Sequence, residues 1–110
     1  MIKITDKYIK EGQLDKEALV KLGADVVEIQ GDKIIFKNDV VFSFCDLLVS
    51  VSDATFNGNV DFEYCHSLKS VDGATFNNWV LFWGCVSLTS IDNATFKYGF
   101  QANRCFNLKQ

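Results

Sequence analysis

From residue 40 onward, apolar side chains return at fixed places in a 20-residue period. The successive turns read VVFSFCDLLVSVSDATFNGN from Val40, VDFEYCHSLKSVDGATFNNW from Val60 and VLFWGCVSLTSIDNATFKYG from Val80, followed by the partial turn FQANRCFNLKQ from Phe100. Their shared pattern is VxFxxCxxLxS(V/I)xxATFxxx. A period kept without insertion means that each unit is one supersecondary element stacked on the last, because a piece this short cannot bury its apolar side alone.

Alternation within a turn points Val60 and Phe62 inward from a short strand, and Cys65, Leu68, Val71, Ala74 and Phe76 return the chain around the core. The equivalent positions of neighbouring turns, such as Val40 and Phe42 or Val80 and Phe82, should stack in ladders. Asp72-Gly73 and Asp92-Asn93 stand where a bend is needed, and these residue types tolerate turn conformations. Ser50, Ser70 and Ser90 are placed to bond the backbone of that bend.

Ahead of the repeats, residues 1–39 read as a small α/β cap within the same domain, and residues 40–110 as three and a half repeats. Asp15 suits the N-cap of a helix over 16–22, with Gly23 as its stop. Two β-like runs, Val26 to Ile29 and Lys33 to Phe36, flank Gln30, Gly31 and Asp32, as in a hairpin. Phe36 stands before Val40 at the spacing that Phe56 keeps before Val60, so the cap should contain a degenerate turn that shields the first core layer.

The spacing VxFxxCxxLxx(V/I) resembles the leucine-rich repeat, with Val and Phe at its strand positions and Cys where Asn or Cys often stands. It is similar to short bacterial and phage variants whose turns read CxSLxSL, although Phe replaces Leu at several places. The resemblance covers residues 40–110 and implies a mainly β, right-handed, leucine-rich-repeat-like solenoid. It implies no reaction.

Composition narrows the function. The chain of 110 residues is 48% hydrophobic, enough to close a core, and ten Phe with no Pro suit pleated, half-buried surfaces. A net charge of −3 offers no basic footprint for nucleic acid. The charged N-terminus has no apolar stretch like that of a signal peptide, and no run is long enough for a membrane helix, so a soluble, cytoplasmic protein is expected.

Four cysteines, Cys45, Cys65, Cys85 and Cys105, share the repeat period. Strands stack about 4.8 Å apart, which puts the outer two roughly 14 Å apart. One zinc, with Zn–S bonds of about 2.3 Å, cannot collect them, and no CxxC pair exists. A buried, reduced ladder is the expectation, with an oxidised pair or a metal as lesser alternatives. His66 is the only histidine and reads as a surface turn residue. Asp61 and Glu63 share the outward side of one strand, where a solvated face is the ordinary reading and an acid–base pair the sharper one. There is no phosphate loop or nucleotide fingerprint, and no cofactor is implied.

Function has room on the outward rows, where the repeat leaves residue type free. One row reads Val41, Asp61, Leu81 and Gln101; the next reads Ser43, Glu63, Trp83 and Asn103. Trp79 precedes the third strand, and Tyr64 and Tyr98 can extend the patch. Tryptophan on a face that should see water suggests an interface anchor. The same rings could instead be covered by the N-terminal segment or a second copy, or a reversed strand phase could turn them into the core.

The expectation is therefore a non-enzymatic module that binds a larger protein through Trp79, Leu81, Trp83, Asp61, Glu63 and Tyr64. Two alternatives stand beside it. One is a phage or mobile-element inhibitor of a host defence complex, anti-CRISPR-like, in which acidic residues imitate nucleic acid. The other is a self-associating structural protein, since Phe100, Phe106 and Leu108 of the last turn lack a polar cap and could pair two copies into a homodimer.

Overall fold

A computed structural model describes residues 1–109 and shows a β-solenoid of about three turns behind an N-terminal cap. In chain order the elements are β1 (Ile2–Lys3), a 3-10 turn (Asp6–Tyr8), β2 (Ile9–Lys10), β3 (Gln13–Leu14), α1 (Lys16–Leu19), a 3-10 turn (Val20–Leu22), β4 (Val27–Gln30) and β5 (Lys33–Phe36). The repeats follow as β6 (Val40–Val41), β7 (Thr55–Phe56), β8 (Val60–Asp61), β9 (Thr75–Phe76), β10 (Val80–Leu81), β11 (Thr95–Phe96) and β12 (Phe100–Gln101).

Every complete turn carries two strands, where the sequence pattern showed one strand and a return. They build two sheets, ordered β1-β6-β8-β10-β12 and β4-β5-β7-β9-β11, parallel throughout except for the β4/β5 hairpin. Register is in step with the repeat, Val80 pairing with Val60 and Phe100, and Thr75 with Thr55 and Thr95. Any slip would break every ladder at once, so the period itself holds the register.

The first strand of each turn is short because the chain bends at once. Phe44, Tyr64 and Arg104 have φ values of 60°, 60° and 62°, and Gly84 has 75° in the equivalent place. This left-handed residue swings the next one inward and delivers Cys to the core. Inter-turn bonds nevertheless continue into the bend, Phe62 N–H donating to Leu81 at 2.8 Å and Tyr64 N–H to Trp83 at 2.8 Å.

Two columns of phenylalanine fill the interior. Phe36, Phe56, Phe76 and Phe96 stack with centroids 5.0, 5.1 and 5.1 Å apart, and Phe42, Phe62 and Phe82 stack at 4.9 and 5.4 Å. The columns meet edge to face at about 6 Å, as between Phe62 and Phe76 at 6.1 Å. The rings lie parallel within a column, and between columns they place positive edges against negative faces.

The bend serines act as expected. Ser50, Ser70 and Ser90 Oγ accept from the N–H of Ser52, Asp72 and Asp92 at 3.1, 3.1 and 3.2 Å. The Ala-Thr-Phe segment then enters the second strand.

The cap supplies the first layer from two separate pieces. β1 pairs in parallel with β6 through Ile2 and Val40, while Phe36 of β5 stacks on Phe56. Ile4 stands where a repeat has its Phe, accepting the Cys45 thiol at 3.4 Å. The helix expected over 16–22 is α1 followed by the second 3-10 turn, with Asp15 capping Glu17 N–H at 3.1 Å and Gly23 at φ 94° closing it. The hairpin's first strand is β4, one residue later than the sequence pattern placed it.

Candidate functional site

The outer face of the first sheet is where the turns differ. Residues alternate along the third turn, so Val80 and Phe82 are fully buried while Trp79, Leu81 and Trp83 project from the other side. The strand phase thus keeps the rings out of the core. β1 extends the sheet edge beside β6 and does not cross the face, so the N-terminal segment does not cover them.

Trp79 is 41% exposed and leans across the following turn, over Gly99. Trp83 is only half-buried, because its ring has partners on both sides. Tyr64 meets it edge to face at 5.1 Å, and the Arg104 guanidinium lies over it at 5.4 Å. Tyr64 in turn stacks on Phe44 at 5.1 Å and leans over Gly84, where a Cβ would come within 2.8 Å of its Cδ1. A continuous aromatic strip therefore runs Phe44, Tyr64, Trp83, Arg104 across four turns. Phe44, 64% exposed, is its most open ring.

Sequence reasoning missed Phe44 and Arg104 as members of this strip. The signal was available in the residue before each Cys, which reads Phe44, Tyr64, Gly84 and Arg104. Strict alternation carried past Phe62 puts that residue on the inner side, whereas the left-handed bend turns it outward.

Asp61 and Glu63 do share the face, but they do not form a carboxylate pair. Asp61 Oδ1 accepts from the Glu63 backbone N–H at 2.7 Å, an Asx-type bond that steadies the bend. Asp39 Oδ1 instead accepts across turns, from the Asn59 backbone N–H at 2.8 Å. His66 is exposed, with its ring edge toward Tyr64 at 6.1 Å. Tyr98, 62% exposed, lies apart from the strip beside Lys97.

The four cysteines are buried and free. Cys65, Cys85 and Cys105 thiols donate to the Phe42, Phe62 and Phe82 carbonyls of the preceding turns at 2.8, 3.1 and 2.8 Å. Burial pushes the Cys45 and Cys65 thiols up to about 12 and raises those of Cys85 and Cys105 as well. These thiols are donors to the backbone of the core, held neutral by burial.

Phe106 of the last turn is 77% exposed, while Phe100 and Leu108 are half-buried against the core. Among the described residues no helix is long and apolar enough to cross a membrane. Comparison with protein-family models, curated proteins and solved structures found no match to the chain.

Proposed function

We propose that this protein is a non-catalytic interaction module that docks on a larger protein through the outer face of its first sheet, centred on Trp79, Leu81 and Trp83 with Tyr64, Asp61 and Glu63 beside them. The observation that carries this reading is the outward row Trp79–Leu81–Trp83, whose rings are held in place by Gly99, Tyr64 and Arg104. Rings already ordered lose little freedom on binding, which is what an efficient anchor needs. The leucine-rich-repeat-like spacing fits the same reading, since a stack of turns offers a rigid face whose outward residues vary freely.

Imitation of nucleic acid, as an inhibitor of a host defence complex would use, calls for a run of free carboxylates. Here Asp39 and Asp61 each have a carboxylate oxygen bonded to a backbone N–H, which favours aromatic anchoring over mimicry. A second reading, self-association, is favoured by Phe106, whose ring is open beside Phe100 and Leu108. Light scattering at two concentrations separates the two: a mass that doubles with concentration and falls back in Phe106→Ser supports pairing of copies.

The test of the main reading is affinity capture from the native host's lysate with wild type, the Trp79→Ala/Trp83→Ala variant, and Thr75→Ala on the opposite sheet as control. Capture lost only in the double Trp variant, with its far-ultraviolet circular dichroism intact, supports the face. Equal capture by all three removes it.

A further inference from the structure

The bend between β7 and β8 holds Asn57 and Gly58, the one place in the chain where glycine follows asparagine. Asn57 is exposed. The backbone is anchored on both sides of the pair, Asn57 N–H donating to the Phe36 carbonyl at 2.9 Å and Asn59 N–H to Asp39 Oδ1 at 2.8 Å. Between them, the Gly58 N–H has no hydrogen-bond partner among the described residues. A Cβ at Gly58 would stand 2.6 Å from the backbone of Asn38 and Asp39, so the packing of successive turns calls for glycine here.

The Asn57 side chain is held as well. Asn77 Nδ2 donates to Asn57 Oδ1 at 2.9 Å, and a donor on that oxygen draws electron density away from Cγ. Other bends of the repeat lack this combination. Gly73 N–H, after Asp72, is engaged with the Asn93 carbonyl at 2.8 Å, and Ala94 N–H, after Asn93, with the Ile91 carbonyl at 3.3 Å. A free backbone nitrogen with no Cβ beside it, next to a polarised and exposed carboxamide, occurs at residue 57.

We infer that Asn57 is a site of spontaneous deamidation, the chemistry that makes asparagine a thermolabile residue. The Gly58 nitrogen gives its proton to a solvent base and bonds to Asn57 Cγ; the Cγ–Nδ2 bond breaks, and the nitrogen leaves as ammonia after taking a proton from water. Water then opens the cyclic imide at one of its two carbonyls. Opening at Cγ leaves aspartate. Opening at the backbone carbonyl leaves an isoaspartyl link, with one more carbon in the main chain. That form lengthens the entry to β8, where Val60 stays in step with Val40 and Val80, and it therefore works against the register of the first sheet.

Peptide mapping tests this on the folded protein held in mildly alkaline buffer and compared with an unincubated sample. Chymotryptic cleavage after Phe56 and Phe62 releases residues 57–62. The expected result is that this fragment gains the mass of deamidation several-fold faster than fragments holding Asn77 or Asn93, that an isoaspartyl methyltransferase labels part of it, and that mildly acidic buffer slows the gain. Asn57→Gln, which moves the carboxamide one carbon away, should lose it. Asn57→Asp supplies the charge without the extra carbon, so the isoaspartyl fraction of wild type should unfold at lower urea concentration than this variant. An unchanged fragment from folded protein, while the urea-unfolded chain converts in the same buffer, overturns the inference. So does conversion no faster than at Asn77 or Asn93, or conversion that persists in Asn57→Gln and so belongs to Asn59. Equal urea midpoints overturn the effect on register.

Discussion

The indole of Trp79 lies over Gly99 of the following turn, with Cζ3 only 3.1 Å from the place a Cβ would occupy. Gly99 also holds φ 96°, a conformation that L side chains rarely adopt. Gly99→Ala should therefore cost about 1–3 kcal/mol and lift the indole off the sheet. Urea unfolding measures the first effect and the Trp emission maximum the second; unchanged stability and emission would show that the ring does not rest there.

The stacked rings make the core intolerant of truncation. Phe62 is fully buried, stacked between Phe42 and Phe82 and edge-on to Phe56 and Phe76. Phe62→Ala should cost about 3–5 kcal/mol, a large share of the stability of a small domain. Phe62→Leu fills most of the space and should cost less. Chemical denaturation of both variants checks the order.

Thiol burial sets an alkaline limit. Folding holds Cys45 and Cys65 as neutral thiols to about 12, whereas the unfolded chain releases their protons near the ordinary value of 9.0. Above that value the unfolded state binds fewer protons, so stability is complete below about pH 9 and falls as pH rises toward 12. Each thiol contributes a slope of up to about 1.4 kcal/mol per pH unit in that window. Cys65→Ala should flatten the curve of stability against pH, and a thiol reagent at neutral pH should label the unfolded chain far faster than the native one.

Arg104 secures the far end of the aromatic strip through Trp83. Because the contact is partly solvated, Arg104→Ala should cost only about 0.5–1 kcal/mol. It should nonetheless open the Trp83 ring to acrylamide quenching. A quenching constant equal to wild type would mean that Tyr64 alone covers the ring.

Much of this architecture was legible in the chain. The repeat of Val40, Phe42, Cys45, Leu48, Val51, Ala54 and Phe56 in later turns identified the solenoid and its core, because stacking requires like above like. Asp15 and Gly23 marked the helical segment through local backbone chemistry. The outward position of Trp79, Leu81 and Trp83 followed from simple alternation along an extended segment.

What alternation could not reach is what long-range pairing decides. The second strand at Thr75–Phe76 forms because its parallel neighbours bond to it, a preference absent from any single turn. The left-handed bend that throws Phe44, Tyr64 and Arg104 outward is imposed by the closing of each turn around buried Cys, and it assembles the aromatic strip from residues 20 apart. The first core layer is shared between Ile2, Ile4 and Phe36, which only the folded chain brings together. Periodicity determined which residues stack, since it repeats the same local demand; the direction in which the bends aim their side chains was settled only when neighbouring turns closed upon one another.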